Sequence, residues 1–297
     1  SVVIPNWNGV YLMKKHLAKV LDAVFEAEVI VSDDASDDGS VGWLRKNFPK
    51  VKLVANKERL GFAGNVNRGV AAATGDIVIL LNTDVEPEVG FLAPLLKHFF
   101  DKSVFAVGCL EKSYEHDGIV LRGRGEARWR KGLFVHSRGD VGKTDTAWVS
   151  GGSGAFRKRI WDELGGMDPL FNPFYWEDID LSYRALKAGY RLMFEPKSVI
   201  GHFHEQGKIK SEFSPEDVKR ISYRNQFTFI WKNLSETKEL TWHILLTPAR
   251  LLRALLTGDF LMIYGYTLAV MRLLQIFATR LRASRLWRKQ DYEIFHT

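Results

Sequence analysis

The residues of this sequence that can do chemistry are mostly acids, and they gather at a few points. Asp33, Asp34, Asp37 and Asp38 fall within one six-residue stretch. Asp84 ends the run Ile77-Val78-Ile79-Leu80-Leu81-Asn82-Thr83-Asp84. Glu177, Asp178 and Asp180 follow the aromatic pair Tyr175-Trp176, and His202 and His204 stand two apart. Each group has an ordinary explanation. Asp38-Gly39-Ser40 suits a polar turn, with Ser40 capping a helix at 41–47. Asp84 suits a cap for a helix entered through Glu86-Pro87-Glu88. Acids in a first helical turn complement the helix dipole, and a lone histidine is usually structural. Each group also has a chemical reading. A carboxylate on the rim of an apolar strand can hold a divalent metal, which takes one or two carboxylates and the phosphates of a substrate. Three carboxylates beside Tyr175 and Trp176 exceed what a cap requires: an aromatic wall can hold a sugar ring, and a carboxylate beside it can act as a general base. Two histidines at i, i+2 on a strand point to one face, and next to an acidic site they are candidate metal ligands.

The elements that must position these groups alternate. Strands are predicted at 1–6, ended by Pro5, at 28–32, at 51–54 and at 77–81; helices are predicted at 9–24 and at 41–47, and 56–69 reads as a loop turning into a helix that ends near Thr74-Gly75. Ile77 to Leu81 is too short for a helix and too uniformly apolar for a half-exposed strand, so it reads as a strand buried on both faces. Three strand–helix alternations before residue 82 predict an α/β protein with a right-handed, mostly parallel sheet flanked by helices. Such sheets bind ligands beyond the carboxyl ends of their strands, where Asp33-Asp34 and Asp84 fall. Gly61, Gly64 and Gly69, interleaved with Asn65 and Asn67, suggest a helix start that lets backbone N–H groups approach a ligand, or else ordinary turns. No GxGxxG follows the first strand and there is no Walker-type loop, which argues against dinucleotide and P-loop proteins. Further on, a helix at 91–100, a strand at 104–109, a solvated basic hairpin or loop at 111–147 and a strand at 146–150 are expected. The last runs into Gly151-Gly152-Ser153-Gly154, which makes either a close backbone approach or a bulge. A short helix at 160–164, an amphipathic helix within 174–189 closed by Gly189, a strand at 191–195 and a strand carrying the two histidines complete this part.

Composition sets the frame. The 297 residues are 46% hydrophobic and 26% charged, enough for a sizeable core and against global disorder. One cysteine, Cys109, excludes an internal disulfide and fits a reducing compartment. The sequence begins at Ser1 inside an apolar run, without a signal peptide, and leading residues are expected to precede it. Of the net charge of +7, the stretch 240–297 carries +5, with eight Arg or Lys against three acids. This basic tail points to an anionic partner, membrane or nucleic acid.

The motifs, in order, resemble glycosyltransferase family 2, the inverting nucleotide-sugar transferases of the GT-A fold. The resemblance covers roughly residues 1–205. It rests on Ser1-Val2-Val3-Ile4-Pro5-Asn6, on Val31-Ser32-Asp33-Asp34 through Ser40, on Leu60-Gly61-Phe62-Ala63-Gly64-Asn65 through Gly69, on Gly75-Asp76 through Asn82-Thr83-Asp84, and on Glu177-Asp178-Ile179-Asp180-Leu181. Each motif is weak alone; five in the right order are strong. The resemblance implies that Asp33 contacts the nucleotide base, that Asp84 binds Mg2+ or Mn2+, and that Asp178 is the catalytic base with Glu177 in support. His202 would complete the metal or diphosphate site, with His204 as its alternate. Pro5, Asn6, Asp34 and Gly61 would lie along the nucleotide-diphosphate sugar donor, as would Asn65, Asn82, Gly152 and Trp176. The family's metal motif often has two acids; here the first is Asn82, which leaves fewer charged ligands. Residues 1–110 are then the nucleotide-sugar half, 111–235 the acceptor-binding and catalytic half, and 236–297 basic amphipathic helices.

The chemistry follows the same line. A nucleoside diphosphate leaves only when its charge is neutralised, and an alcohol attacks only when a base takes its proton. One base, with no second carboxylate as nucleophile, implies inversion. Glycoside hydrolysis by paired carboxylates has no need of the acids at 33–34 and ranks lower. A non-catalytic sensor or adaptor on the same fold is the rival reading; it would bind donor without turnover.

In the tail, 240–256 is apolar with Pro248 inside, Asp259 is expected to cap a helix over 260–271, and Gln275, Thr279 and Arg282 recur at helical spacing. Twelve uninterrupted apolar residues fall short of the ~20 a spanning helix needs. The predicted state is amphipathic helices lying on an anionic membrane, or a helix pair packed on the catalytic domain. A nucleic-acid partner finds no binding motif and is not expected. The sequence thus predicts a cytoplasmic enzyme, peripheral on the inner face of the cell membrane, acting on a saccharide or lipid-linked saccharide acceptor in envelope polysaccharide or lipopolysaccharide synthesis.

Overall fold

In β1 (Val2–Asn6), β2 (Val29–Asp33) and β4 (Ile77–Leu81), successive residues feed two different cores. Val2, Ile4, Val29, Val31, Ile79 and Leu81 pack with α1 (Val10–Ala23). Val3, Ile30, Val78 and Leu80 pack with Ala63, Val66 and Val70 of α3 (Gly61–Ala72). The strands are buried on both faces, as parallel strands flanked by helices must be; Val78 to Leu81 are at most 4% exposed. A computed structural model describes residues 1–24, 26–203 and 212–295.

The sheet runs β3-β2-β1-β4-β10-β6-β11-β5. β3 (Lys52–Ala55), β2, β1 and β4 are mutually parallel, and β11 (Arg191–His202) is parallel to β6 (Val104–Glu115). β10 (Ser153–Arg157) runs antiparallel between β4 and β6, and β5 (Val85–Pro87) antiparallel at the edge. The α/β, mostly parallel architecture is the one the sequence predicts. α2 (Ser40–Asn47), α4 (Leu92–Lys97), α5 (Lys158–Leu164) and α6 (Glu177–Lys187) complete this part of the chain.

Several local expectations are corrected. Asp84 leads into β5, so it caps no helix. The strand expected at 146–150 is an irregular segment: Ala147 N–H goes to Gly125 O and Val149 N–H to Ser182 Oγ, away from the sheet. The sheet strand is instead the small-residue stretch Ser153–Arg157, which fits between two close neighbours. β6 continues past Cys109 and turns into β7 (Gly118–Arg122). β8 (Gly125–Arg130) and β9 (Leu133–Arg138) form a second hairpin, solvated along most of its length as expected but docked through Phe134, which is 1% exposed among Trp176, Tyr183 and Phe229. His202 ends a single strand with an irregularity between Glu195 and Val199, where two strands were expected. α6 begins only at Glu177, after Tyr175 and Trp176 in left-handed backbone. His204 lies outside the described residues.

The C-terminal part is helical. α7 (Pro215–Asn233) has no counterpart in the sequence reading; α8 (Thr237–Leu256), α9 (Phe260–Val270) and α10 (Leu273–Ser284) follow. Asp259 does not cap α9 with its side chain; it takes the Tyr223 hydroxyl at 2.7 Å and Lys219 at 3.2 Å, tying α9 to α7.

Charge fixes α7 against α6. Asp180 has no exposed surface, and its carboxylate is met by Arg184 Nε at 2.8 Å, Lys232 Nζ at 2.8 Å and Asn233 Nδ2 at 2.8 Å. Burial alone would raise the Asp180 carboxyl, but Arg184 and Lys232 hold it below the usual range. Lys187, also fully buried, meets Asp291 at 2.8 Å, and Asp291 takes the Tyr183 hydroxyl and the Ser235 and Glu236 N–H groups. Removing one partner of such a buried set strands the others, at a cost of about 3–5 kcal/mol. Asp180→Ala is therefore expected to lose about that much in urea unfolding. A loss below 1 kcal/mol, the scale of an exposed pair, would remove this role.

Candidate active site

The carboxyl ends of β1, β4 and β11 open on one cleft of about 580 Å3. β1 delivers Pro5 and Asn6, β4 delivers Asn82 and Asp84, and β11 delivers His202. The start of α3 adds Gly61 and Asn65, with Asp34 beside it; the loop before β10 adds Gly152, and α6 adds Glu177 and Asp178. These residues, far apart in the chain, converge at the ligand edge of the sheet.

Asp33 and Trp176 do not line the cleft. The Asp33 carboxylate is turned into the protein, taking Asn6 Nδ2 at 2.7 Å, Ser36 N at 2.9 Å and Ser36 Oγ at 2.7 Å. It holds the ends of β1 and β2 together. Asp34, its neighbour, faces the cleft and accepts the N–H groups of Leu60 at 2.7 Å and Gly61 at 2.9 Å. That fixes the entry to α3, where Gly61 has φ +73° and a Cβ would lie 2.6 Å from the Asn172 side chain. Asn65, 3% exposed, is used in bonds to Ser32 O at 2.8 Å and Ser32 Oγ at 2.8 Å, and so ties α3 to β2. Gly152 lies against the Asn82 side chain, close enough that a Cβ would clash.

Trp176 is 4% exposed and packs on Phe134, His136 and Phe229. The aromatic wall is Phe174 and Tyr175 instead, with Tyr175 43% exposed. Left-handed backbone at Tyr175 (φ 69°) and Trp176 (φ 77°) is costly for residues with a Cβ, and such strain gathers at functional sites. Asn8 and Ala35, beside the first two strand ends, share this conformation. Asn225 of α7 holds the strained turn by donating to Phe174 O at 3.0 Å and Tyr175 O at 2.9 Å.

The two neighbouring carboxyls of α6 differ. Glu177 is 6% exposed, and its Oε2 has no hydrogen-bond partner among the described residues. Burial first, and then the adjacent Asp178, push the Glu177 carboxyl well above its ordinary range. Asp178 is also raised by burial, but the Ile179 N–H at 2.8 Å and the Gly151 N–H at 3.4 Å stabilise its anion. Of the two, Asp178 has N–H donors for its anion and Glu177 Oε2 has none among the described residues, so burial disfavours charge more on Glu177.

His202 stands between two acids. Its Nε2 is 3.3 Å from Asp84 Oδ1 and its Nδ1 is 3.4 Å from Glu111 Oε2. Burial lowers the imidazole, but the two carboxylates outweigh it and bring it to about 9. Among the described residues no three His, Cys, Asp or Glu side chains form a group that could hold a metal ion, and Asp84 and His202 stand as a facing pair.

Sequence reasoning missed Trp7, Arg59, Glu115 and Arg122, all of which line the cleft. The Arg59 guanidinium lies 3.4 Å from the centre of the Trp7 ring, and Arg122 pairs with Glu115. The only signal for the first pair was its closeness to the two glycine- and asparagine-rich motifs.

A family model, Glycosyl transferase family 2, matches residues 1–165. Among curated relatives, the Pre-mycofactocin glycosyltransferase of Mycobacterium tuberculosis is 29% identical over 217 residues, 69% of this chain and 42% of its own. Polypeptide N-acetylgalactosaminyltransferase 5 of Rattus norvegicus is 27% identical over 237 residues, 72% of this chain and 25% of its own. The chain therefore spans less than half the length of these relatives. Among solved structures, GalNAc-T7 with UDP, GalNAc and Mn2+ superposes with TM-score 0.58 at 21% identity, covering 78% of this chain and 49% of that one. The mannosyltransferase PcManGT of Pyrobaculum calidifontis, with GDP-Man and Mn2+, gives TM-score 0.56 at 19% identity over 97% and 87% of the two chains. S. aureus TarS 1-349 with UDP-GlcNAc gives TM-score 0.59 at 15% identity over 96% and 87%. The fold is GT-A, as the motif order implied. With more than half of its length matched by the family model, and with the strand ends carrying the motifs in their expected order, this chain belongs to glycosyltransferase family 2.

Proposed function

We infer that this chain moves a sugar from a nucleotide-diphosphate donor to a hydroxyl acceptor with inversion, using Asp178 as general base and a divalent cation at Asp84 and His202. The observation that carries the reading is the split between Glu177 and Asp178 at the mouth of a cleft whose far wall is the sheet edge. A protonated Glu177 beside an ionised Asp178 leaves one carboxylate to take the acceptor proton, and no second one to act as nucleophile.

A carboxylate and an imidazole fit a hard divalent ion that draws its remaining ligands from substrate phosphates and water. The similar structures that hold Mn2+ beside a nucleotide or nucleotide sugar support the same reading. The chemistry such an ion supplies is neutralisation of charge on the departing diphosphate. Around it, the side chains of this chain bind and orient: Trp7 and Arg59 offer a flat cationic face on the nucleotide side, and Phe174 and Tyr175 a wall for a sugar ring.

The working place follows from the tail. Of 24 exposed large apolar side chains among the described residues, 14 lie between Leu240 and Leu281, so they make a patch rather than a scatter. Leu256, Met271 and Leu274 are 77%, 77% and 89% exposed. No single described helix is long and apolar enough to cross a membrane; α9 and α10 pass such a test only as a pair bent by 66°. Polar ties hold that pair to the body: Arg272 donates to Leu170 O at 3.2 Å, and Arg280 to Leu234 O at 2.7 Å. A patch of this kind beside a +5 charge suits a helix face lying on an anionic membrane. The protein would then work as a cytoplasmic, peripheral enzyme on the inner face of the cell membrane. There a lipid-linked saccharide is within reach, which supports a role in envelope polysaccharide synthesis.

Four outcomes are expected. Asp178→Asn should keep donor binding and lose about 10^2–10^4 in turnover, while Glu177→Gln, which mimics the protonated acid, keeps most of it. The acid limb of wild-type kcat should lie above the ordinary aspartate range, because a raised base loses function as pH falls through its raised value. Nucleoside diphosphate release from a panel of nucleotide sugars reads all of this, and binding without release by wild type would mean a sensor rather than an enzyme. Donor affinity should fall on chelation and return with Mg2+ or Mn2+; affinity indifferent to chelator would remove the metal. Finally, the chain should float with vesicles containing anionic lipid, less so in high salt, and the triple variant Leu256→Glu, Met271→Glu, Leu274→Glu should stay in solution. Wild type left in solution would remove the membrane. Surface substitutions serve better than truncation here, since Asp291 is part of the buried core.

A further inference from the structure

One buried acid beside the cleft has no part in the chemistry above. Glu111, on β6, is 5% exposed and does not line the cleft. One of its oxygens accepts the hydroxyl of Ser153 on β10, and the other lies 3.4 Å from His202 Nδ1. β6 and β11 are paired in parallel with His202 opposite Ser113, two residues on from Glu111, so Glu111 and His202 share a face of the sheet. The opposite ring nitrogen of His202 looks at Asp84, which does line the cleft. A single imidazole therefore bridges a carboxylate in the site and a carboxylate behind it.

A buried carboxylate is expensive unless its lone pairs are used. A ring nitrogen that donates to a buried acid leaves the other as the lone-pair nitrogen, and fixes the plane of the ring. Ser153 fixes the acid in turn, and its strand lies directly against β4, the strand that carries Asp84. We propose that Glu111 is a positioning residue: it sets the tautomer and orientation of His202 so that Nε2 is presented with Asp84 to a divalent cation. The inference rests on the reading of Asp84 and His202 as the metal pair and adds the residue that prepares one of them. Glu111 touches neither substrate nor ion in this assignment.

The test uses the full chain and Mn2+, followed by electron paramagnetic resonance in the presence of UDP and, separately, GDP. Glu111→Ala should weaken Mn2+ binding by about 10–100-fold. Glu111→Gln, whose amide oxygen still accepts from Nδ1–H, should fall between it and wild type. Long-range 1H–15N spectra of the His202 ring give a readout that a merely structural role would not move. Recorded at alkaline pH, where the ring carries a single proton, wild type and Glu111→Gln should hold one tautomer, protonated on Nδ1, while Glu111→Ala should give a mixture. If Glu111→Ala does not fold, Ser153→Ala, which frees Glu111 from its second anchor, should still weaken Mn2+ measurably. Wild type that binds Mn2+ while the folded Glu111 and Ser153 variants bind it equally well overturns this inference alone. Wild type that binds Mn2+ no better than Asp84→Asn overturns the metal reading beneath it.

Discussion

A full negative charge with no exposed surface, that of Asp180, is the constraint on which the site depends. A buried carboxylate must be matched, and Asp180 is matched by one cation from its own helix and by Lys232 and Asn233 from α7. The match fixes α6 along its length. Glu177 and Asp178 stand in the first turn of the same helix, so their position is inherited from a charge contact outside the cleft. The strained backbone at Tyr175 and Trp176 is held from the same side, by Asn225 of α7. Helix α7 thus braces α6 and the turn before it from outside the cleft, which none of its residues lines.

The sheet edge obeys a different logic. There the acids do separate tasks that their sequence positions do not distinguish. Asp33 is the last residue of β2 and Asp34 the first beyond it, and their side chains bond in different directions. One closes the β1–β2 edge from within, and the other secures the start of α3. Asp84 alone remains to face His202 across the cleft.

Much of this was legible. The apolar run at 77–81 identifies a buried parallel strand without ambiguity, and so places Asp84 at the ligand edge. The alternation of strands and helices before residue 82 gives the first half of the sheet. What stayed hidden has physical reasons. Ser153–Arg157 is a central strand with almost no β-branched residues, because it lies between close neighbours and needs small ones. The exchange of Trp176 for Tyr175 as the cleft aromatic comes from a left-handed turn, which reverses the faces a helical spacing would assign. Helix α7 buries charged and polar residues along with apolar ones, so no apolar stripe announces it. Tyr183 and Asp291 are 108 positions apart, and no local pattern encodes such a pair.

The staple between Lys187 and Asp291 bears on the order in which the molecule can be completed. Synthesis proceeds from the N-terminus, at about 5–20 residues per second, and domains fold as their parts emerge. The strands β1 to β4 and their helices are all made before residue 82, but the two cores they share also take residues as late as Leu192 and Ile200. Helix α6 waits longer still. Its Asp180 must wait for Lys232 and Asn233, and its Lys187 must wait for Asp291, close to the last described residue. Until then both charges keep their water, and α6 has no fixed seat. A growing chain therefore passes through a stage in which α6 is made but not yet anchored, and the ribosome releases Asp291 only when nearly all of the described residues have been read.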